Sequence, residues 1–533
     1  MPTLTWVGKD KVVNHHHDVP FRVLRHESSF IAPEGTPENS KGNRIIHGDN
    51  LEALKSLLPE FEGQIKCIYI DPPYNTGNEG WVYNDAVNDP KIKKWLGQVV
   101  GKEGEDLSRH DKWLCMMYPR LKLLHRLLAK DGVIFISIDD IEVANLRLIM
   151  DEIFGAPCFA SNLIWQKKYS PQNDARLFSE VHDHILVYSR SPNNWIRNLI
   201  PRTEKQDKAY KNPDQDSRGP WKASDLTRAE HRDRDFYGIT TPSGKIVYPA
   251  NGRSWSRPPE EIERLRNDNR LWFGTKGDSI PSLKRFLNEV KDGVVPISIW
   301  GRDEVGDNQE ATQETKDILG MRAFSTPKPH RLIQRILQIA CGQDAIILDS
   351  FAGSGTTAHA VLKLNGQDKG NRRFILIEME EYAESITAER VRRVMSGYGE
   401  GSKPTNGLGG GFDYYTIGDP VFKDDETLNE AVGLDPIRNY VAHSEGIRFE
   451  HRVDQENAYS QYLLGLNNET TWIFYYEADE ATCLDLNFLS SLKFGGNKPT
   501  TAIIYADKCL LTKEFMTKHG IIFKKIPRDI TRF

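Results

Sequence analysis

Short apolar runs alternate along the chain with segments in which apolar residues recur every three or four positions. The short runs predict strands that are covered on both faces, and the periodic segments predict helices between them. The predicted strands are residues 44–48, 65–70, 133–138, 185–189, 345–349 and 373–378. This alternation favours an α/β fold built on a parallel sheet.

The helical pattern falls between these runs. The predicted helices are residues 51–58, 113–129 and 330–340, and one that begins near Thr356. For the first of them, Asn50 is the expected N-cap and Pro59 the expected stop. Each helix separates two predicted strands, as the crossover between parallel strands requires.

Two segments break the alternation. Residues 192–320 are rich in Arg, Asp, Asn, Pro and Gly and have weak periodicity, so they predict a domain inserted between two parts of the sheet domain, residues 1–191 and 321–396. The glycine-rich stretch 397–411 predicts a linker. Beyond it, runs at 472–476, 500–505 and 521–526 predict the strands of a small C-terminal α/β domain, residues 412–533.

Composition and charge add little. A net charge of −5 gives no sign of nucleic acid. The six cysteines stand far apart, without a Cys-x-x-Cys pair, and no apolar run approaches the length of a membrane span. We therefore expect a cytoplasmic protein that does not contact a membrane. We expect no metal site either, because the three consecutive histidines of residues 15–17 cannot all face one ion.

The first loop with recognisable chemistry is Asp71-Pro72-Pro73-Tyr74, which follows the predicted strand 65–70. Ligands bind at the carboxyl ends of parallel strands. A carboxylate, a rigid carbonyl and an aromatic ring suit a planar heterocycle that carries an amino group: Asp71 and the Pro72 carbonyl each accept one N–H, and Tyr74 stacks on the ring. The alternative is a proline-rich turn whose Asp caps a neighbouring element.

The second loop, residues 349–357, joins a predicted strand to the helix that begins near Thr356. Its Gly353-x-Gly355 spacing predicts a turn at which the backbone approaches a nucleotide closely. Because no lysine follows the glycines, a phosphate-binding P-loop is excluded. Glu378 ends the next strand, where ribose hydroxyls bind in nucleotide-binding folds. A dinucleotide site and a turn needed only for packing remain as alternatives.

Asp49 ends the strand that precedes the one carrying Asp71. If the sheet is continuous, the glycine loop, Glu378, Asp49 and Asp71 are expected at four neighbouring strand ends in that spatial order. Asp49 and Asp71 nevertheless come first in the chain. The order along the chain therefore predicts a circularly permuted, Rossmann-like sheet.

These features together resemble the β-class amino-DNA methyltransferases. Asp71–Tyr74 resembles the family's catalytic loop, residues 349–357 resemble its cofactor loop, and residues 324–329 resemble the segment that packs on the methionine end of the cofactor. The resemblance implies S-adenosyl-L-methionine as cofactor. The residues it implies as cofactor-binding are Asp49, Phe324, Pro327, Lys328, Asp349, Phe351, Gly353, Ser354, Gly355, Thr356 and Glu378, and those it implies as catalytic are Asp71, Pro72, Pro73 and Tyr74.

Further segments are similar to the Mod subunits of type III restriction–modification systems; they are residues 14–16, Asn84-Asp85 and residues 181–184. This similarity implies that the protein is a homodimer and that a helicase-nuclease restriction subunit is its partner. It also implies that the target base is flipped out of the duplex. The position of residues 192–320 and their Arg and Trp content predict that they recognise double-stranded DNA, and the alternative is a lid or a scaffold insertion.

The resemblance also implies that Asp rather than Ser at position 71 favours adenine N6 as the methylated atom, with cytosine N4 as the nearest alternative. Two other readings stay open. The glycine loop alone is compatible with an NAD-dependent oxidoreductase, which leaves Asp71–Tyr74 unexplained. The chain is also compatible with a subunit that chiefly recognises DNA for a nuclease partner.

Overall fold

A computed structural model of the chain describes residues 3–75, 105–171, 175–399, 404–453, 460–492 and 499–528. It divides into two compact units, one formed by residues 1–197 and 297–533 and the other by residues 198–296. The larger unit contains a ten-stranded sheet, and all of the residues discussed below as a candidate site belong to that unit.

The strands of this sheet, in chain order, are β1 (Arg22–Ile31), β2 (Asn43–His47), β3 (Ile65–Ile70), β4 (Leu128–Ile138), β5 (Phe159–Gln166), β6 (His182–Ser189), β7 (Ile299–Trp300), β8 (Ile346–Asp349), β9 (Arg373–Glu378) and β10 (Gly411–Pro420). Their spatial order is β1-β10-β2-β9-β8-β3-β4-β6-β5-β7. The run from β10 to β4 is parallel, and β6 lies antiparallel to β4 and β5. An α/β fold on a largely parallel sheet is therefore confirmed.

The spatial order of the four ligand-facing strand ends differs from the prediction. Strand β3 pairs with β8, where Ile347 lies opposite Cys67, and β2 pairs with β9. The order is thus Asp49, Glu378, glycine loop, Asp71. Strands β8 and β9, which follow the inserted unit in the chain, lie between β2 and β3, so β2 and β3 are consecutive in the chain but are not neighbours in the sheet.

The helices of the larger unit are distributed along both of its chain segments. They are Lys9–Val12, His15–Asp18, Asn50–Phe61, Glu105–Leu127, Val143–Phe154, Arg302–Val305, Asn308–Leu319, His330–Ala340, Thr356–Asp368, Glu389–Ser396, Leu434–Ser444, Leu486–Ser491 and Lys513–Lys518, with a π-helical turn at Ala383–Ala388 and 3-10 turns at Ala156–Cys158, Glu430–Val432 and Phe449–His451. Buried strand residues such as Ile68 and Leu348 form one cluster with Leu54, Leu121 and Ile149, which belong to the helices Asn50–Phe61, Glu105–Leu127 and Val143–Phe154.

Helix bounds agree with the prediction in two cases and depart from it in two. The helices His330–Ala340 and Thr356–Asp368 begin where expected. The first predicted helix is Asn50–Phe61; its N-cap is Asp49 rather than Asn50, and it contains Pro59 instead of stopping before it. The helix Glu105–Leu127 begins earlier than predicted and ends earlier, because Leu128 already belongs to β4.

The predicted linker and C-terminal boundary are wrong in one respect. Strand β10, Gly411–Pro420, lies inside the main sheet between β1 and β2, so the C-terminal region does not begin as a separate domain at residue 412. Part of the predicted linker forms a small hairpin, Gly397–Tyr398 with Thr405–Asn406. A four-stranded sheet follows, in the order Leu463–Leu466, Thr470–Phe474, Thr501–Ala506, Ile521–Lys525, and Cys483–Leu484 pairs with Lys508–Cys509.

The smaller unit spans residues 198–296, which is shorter at both ends than the predicted insertion 192–320. Its helices are Glu204–Asp207 and Pro259–Asn267, with 3-10 turns at Asp233–Asp235 and Leu287–Glu289. Its strands are Trp221–Asp225, Thr227–Arg228, Ile239–Thr240, Ile246–Val247, Ser254–Trp255, Leu271–Trp272 and Ser282–Phe286. They form small sheets around a core that includes Trp255 and Ile262.

Across the described parts of the chain, no helix combines the length and apolarity that crossing a membrane requires.

Candidate active site

The Asp-Pro-Pro-Tyr loop begins directly after β3 with Asp71. Its two prolines restrict the backbone. The fully buried Trp113 holds it as well, because the indole Nε1 donates a hydrogen bond of 2.7 Å to the carbonyl oxygen of Pro73. The carbonyl of Pro72, in contrast, has no hydrogen-bond donor among the described residues. Pro72 therefore offers the acceptor that an incoming N–H can use.

Both carboxylate oxygens of Asp71 accept hydrogen bonds within the site. The Tyr74 hydroxyl donates to Oδ1 at 2.9 Å, and the Lys328 ammonium donates to Oδ2 at 2.5 Å. The same Nζ lies 5.0 Å from the centre of the Tyr74 ring, which is a cation–π distance. Burial, and then the negative charge of Asp71, raise the pKa of Tyr74 well above its ordinary value. The Tyr74 hydroxyl therefore keeps its proton and acts as a donor to Asp71.

The loop between β8 and the helix Thr356–Asp368 turns at two glycines with positive φ, +51° at Gly353 and +78° at Gly355. A Cβ at Gly353 would lie 3.1 Å from Cζ of Phe324, and one at Gly355 would lie 3.0 Å from the carbonyl oxygen of Thr387. Both positions therefore need glycine for conformation and for space.

Two buried carboxyl groups support this loop. Asp349 accepts hydrogen bonds from the backbone N–H of Phe351 at 3.1 Å and from the hydroxyl of Thr357 at 2.5 Å. Glu378 accepts one hydrogen bond from the N–H of Gly353 at 2.7 Å and one from the N–H of Glu380 at 3.0 Å. Burial raises the pKa of each carboxyl group to about 7. Both groups are therefore balanced between their neutral and charged forms near neutral pH.

A cavity of about 860 Å³ lies between the two loops. It is lined by Asp71, Pro72, Pro73 and Tyr74 from the first loop, by Asp349, Phe351, Gly353, Ser354, Thr356 and Glu378 from the second loop and its neighbouring strand, and by Phe324, Pro327 and Lys328 from the segment between residues 320 and 330. Most of the site residues predicted from the sequence therefore share one cavity.

Two predicted residues do not line this cavity, Asp49 and Gly355. Asp49 caps the helix that follows it, where its Oδ1 accepts the N–H groups of Leu51 and Glu52 at 2.8 and 3.0 Å. Its Oδ2 lies 3.4 Å from the fully buried Arg120. The structure thus gives Asp49 a capping role, and gives Gly355 a backbone role at the start of the helix.

A buried polar network behind the glycine loop could not be read from the sequence. Arg390 donates hydrogen bonds to the hydroxyls of Ser354 and Thr356 at 2.9 and 2.8 Å, and it pairs with Glu314 at 3.1 Å. The ring of His330 also contacts the Glu314 carboxylate. Contact with His330, His359 and Arg390 outweighs burial and lowers the pKa of Glu314, so it carries its charge. Separations of 16 to 76 residues hide this convergence from sequence patterns.

Further cavity residues lie outside the predicted set. Lys167 pairs with the buried Asp183 at 2.5 Å, and both line the cavity. Tyr382 meets Phe324 edge to face, with ring centres 5.7 Å apart. Asp183 belongs to the segment 181–184 that the family resemblance singled out without a role, and this was the available signal.

Residues 14–16 do not line the cavity. His16 is buried in the short helix His15–Asp18, and Lys55 donates a hydrogen bond of 2.8 Å to its carbonyl oxygen. The pKa of His16 is lowered to about 4, mainly because the ring is buried. Of the three histidines, His16 thus contributes packing here. Asn84-Asp85 lies outside the described residues.

The model of the family described as DNA methylase matches residues 65–389, which is more than half of the chain. The chain is 35% identical over 434 residues to the type III restriction-modification enzyme StyLTI Mod subunit of Salmonella typhimurium, covering 76% of this chain and 64% of that subunit. It is 31% identical over 368 residues to the type II methyltransferase M.KpnI of Klebsiella pneumoniae, covering 64% of this chain and 82% of M.KpnI. The chain thus matches less than two thirds of the Mod subunit's length.

Among solved structures, the PvuII DNA methyltransferase, named as cytosine-N4-specific, is similar with a TM-score of 0.34 and 13% identity, over 67% of this chain and 89% of that one.

Proposed function

Because the chain belongs to the DNA methylase family, we propose that it transfers a methyl group from S-adenosyl-L-methionine to the N6 amino group of adenine in double-stranded DNA. The observation that supports this most directly is the cavity shared by two loops of different chemistry. One loop offers acceptors for an amino group at Asp71 and Pro72, and the other is a glycine turn at a helix N-terminus.

The residues present fit this cofactor. Glu378 offers a buried carboxyl group to ribose hydroxyls, and the aromatic pair Phe324 and Tyr382 offers apolar ring surface. Asp349 is a second carboxyl group on the same wall and favours a ligand with positive charge. When bound, the cofactor supplies an electrophilic methyl group on a sulfonium.

The protein's task is to expose and align a poor nucleophile, because the lone pair of an aromatic amino group is delocalised into its ring. Asp71 and the Pro72 carbonyl each accept one of the two N–H bonds, which favours a pyramidal nitrogen whose lone pair faces the cofactor. Since positive charge passes to this nitrogen during transfer, the Asp71 carboxylate stabilises the transition state more than the ground state. Trp113 keeps the loop from moving, since it holds the adjacent Pro73 carbonyl.

The amino group of adenine is paired inside the duplex, so the base has to leave the stack. Flipping a base costs a few kcal/mol, which stacking on Tyr74 partly offsets. The assignment of adenine rests on Asp71 at the first position of the loop, and methylation of cytosine N4 uses the same contacts.

We also propose that the protein acts as the modification subunit of a restriction–modification system, as a homodimer with a helicase-nuclease partner. The support is its similarity to relatives named as Mod subunits. A pull-down with the purified chain tests this: recovery of a large helicase-nuclease chain supports the role, and a protein that methylates but recovers no such partner contradicts it.

The direct test of the proposed activity is methylation of plasmid DNA by the purified protein, followed by sequencing that maps modified bases. Modified adenines at one recurring sequence are expected. Modified cytosines would move the target to N4, and an unmodified plasmid would refute the methyltransferase assignment.

A further inference from the structure

Lys328 has a position that neither of the loops alone explains. Sequence resemblance places it in the segment against the cofactor, but its ammonium donates a hydrogen bond of 2.5 Å to Oδ2 of Asp71. It lies 5.0 Å from the ring centre of Tyr74 and 5.9 Å from that of Trp165. The Lys328 side chain is 10% exposed and that of Asp71 is 24% exposed, so this is a partly buried contact rather than a surface ion pair.

The backbone of Lys328 is restrained by its neighbours, whereas its long side chain can adopt several conformations. The Thr356 hydroxyl donates to the Lys328 carbonyl oxygen at 3.1 Å, and Arg390 donates in turn to that hydroxyl at 2.8 Å. Prolines on both sides, Pro327 and Pro329, restrict the backbone further. The ammonium of Lys328 can therefore move by rotation of the four-carbon side chain, which has many rotamers, without a movement of the backbone.

The ammonium makes the contacts that the proposed function assigns to the target amino group. It is an N–H donor to the Asp71 carboxylate, and it lies over the ring of Tyr74, on which the target base is proposed to stack. We propose that Lys328 occupies the amino-group subsite of Asp71 and Tyr74 and that the flipped base displaces its ammonium. This inference rests on the proposed function and adds a competing internal ligand to it.

Displacement also suits the chemistry. Methyl transfer moves positive charge onto the base nitrogen, and a second positive charge on the same carboxylate opposes that change. Until the base arrives, the ammonium satisfies the partly buried Asp71 carboxylate, which would otherwise lack a cation. Lys328 is thus a positioning residue for Asp71 before catalysis.

The first test needs no DNA. Thermal unfolding of Asp71→Asn, Lys328→Met and the double variant forms a double-mutant cycle. If the pair exists, the loss of Tm in the double variant is smaller than the sum of the single losses by about 2 °C or more. Additive losses within error would overturn the pair.

The second test measures the displacement, at the site that methylation mapping identifies. With 2-aminopurine at the target position, Lys328→Met should raise the fluorescence of the flipped base, because no ammonium competes. With adenine at that position, the same variant should lower the KM for DNA about threefold or more. Lys328→Arg keeps a cation and should behave as the wild type. The matched control is Lys66→Met, which removes a lysine that pairs with Asp131 at the surface and does not line the cavity, and it should leave base flipping unchanged.

Other outcomes decide against the proposal. If Lys328→Met weakens S-adenosylmethionine binding about tenfold and leaves base flipping unchanged, Lys328 is a cofactor ligand instead. If it reduces base flipping, Lys328 holds the base rather than giving way to it. Coupling of Asp71 and Lys328 in a protein that methylates no DNA would contradict the proposed function, and the displacement with it. Methyl transfer without that coupling would contradict the displacement alone.

Discussion

The indole N–H of Trp113 hydrogen-bonds the carbonyl oxygen of Pro73 at 2.7 Å, so a fully buried residue of a long core helix fixes the loop that begins at Asp71. This contact joins residues 40 positions apart in the chain. It decides which prolyl carbonyl is left to accept an N–H from the substrate, namely that of Pro72.

Replacement of Trp113 by Phe removes this donor and keeps an aromatic ring. We expect kcat for methyl transfer to fall about ten- to a hundredfold, because small misplacements of reacting groups have effects of that size. Cofactor affinity should stay within about twofold. Trp6→Phe is the control, since Trp6 is also buried but donates to the Cys115 sulfur. An equal loss of kcat in both variants would mean general destabilisation and contradict the role of the Pro73 contact.

The role of Asp71 is tested by Asp71→Ala. Methyl transfer should be abolished while cofactor affinity changes little, because the proposed ligand of Asp71 is the amino group of the base and not the cofactor. Labelled-methyl transfer measures the first quantity and a cofactor titration the second. Transfer near the wild-type rate in this variant would remove Asp71 from the catalytic assignment.

The glycine loop is tested by Gly353→Val. The position has φ of +51°, and even a Cβ would lie 3.1 Å from the Phe324 ring. We expect loss of cofactor binding in a calorimetric titration, because valine would introduce both backbone strain and a bulky side chain at the cavity wall. Gly366→Ala is the matched control: it lies within the helix that follows the loop, with no atom near its added Cβ, and should bind cofactor normally. Unchanged affinity in the valine variant would exclude the loop from the site.

Cofactor affinity should depend on pH through Asp349 and Glu378, whose pKa values burial raises to about 7. As pH falls below 7, each carboxyl group takes up a proton and loses its negative charge and an acceptor. The Kd for S-adenosylmethionine should therefore rise about tenfold from pH 8 to pH 6 if one of the two must be ionised. Glu378→Gln should flatten this dependence. A Kd that is constant over this range in the wild type would contradict it.

The same shifts predict how stability varies with pH. A glutamic acid ionises at 4.5 in the unfolded chain, whereas Glu378 keeps its proton in the folded protein until about pH 7. Between these values the folded state binds the extra proton, so the free energy of unfolding falls as pH rises, by about 1.4 kcal/mol per pH unit for each such group. Denaturant unfolding of the wild type and Glu378→Gln at pH 5 and pH 7 measures this difference. If the free energy of unfolding falls less in the wild type than in the variant between these pH values, the prediction is contradicted.

The network behind the glycine loop makes a prediction for stability. Glu314→Gln leaves the fully buried Arg390 without its carboxylate, and the loss of one partner of a buried pair costs about 3–5 kcal/mol. Glu204→Gln is the control, since its pair with Lys208 is exposed and contributes at most about 0.5 kcal/mol. Equal small effects in chemical denaturation would show that the network does not support the loop.

Features that depend on local sequence were predictable. The strands β3 and β9 and the helix His330–Ala340 were predicted with the bounds they have, because each is a continuous run with a clear stop. The two loops were recognisable for the same reason, since Asp71–Tyr74 and Gly353-x-Gly355 carry their chemistry within a few residues. The resemblance to amino-DNA methyltransferases is confirmed by the family match.

The predictions that were wrong concern features that depend on distant parts of the chain. The order of β2, β3, β8 and β9 is set by strand pairing across the inserted unit, and no local pattern reports it. Strand β10 looked like the start of a separate domain, because glycines precede it and its partners β1 and β2 lie nearly 400 residues earlier. The contacts of Lys328 with Asp71 and of Arg390 with Glu314 join residues that only the folded sheet brings together.

The most direct test of the proposed chemistry is mass spectrometry of nucleosides from DNA incubated with S-adenosylmethionine and either the wild-type protein or Asp71→Ala. We predict N6-methyladenine from the wild type and none above background from the variant. Methylated cytosine, or equal N6-methyladenine from both proteins, would contradict the assignment of Asp71 as the acceptor for an adenine amino group.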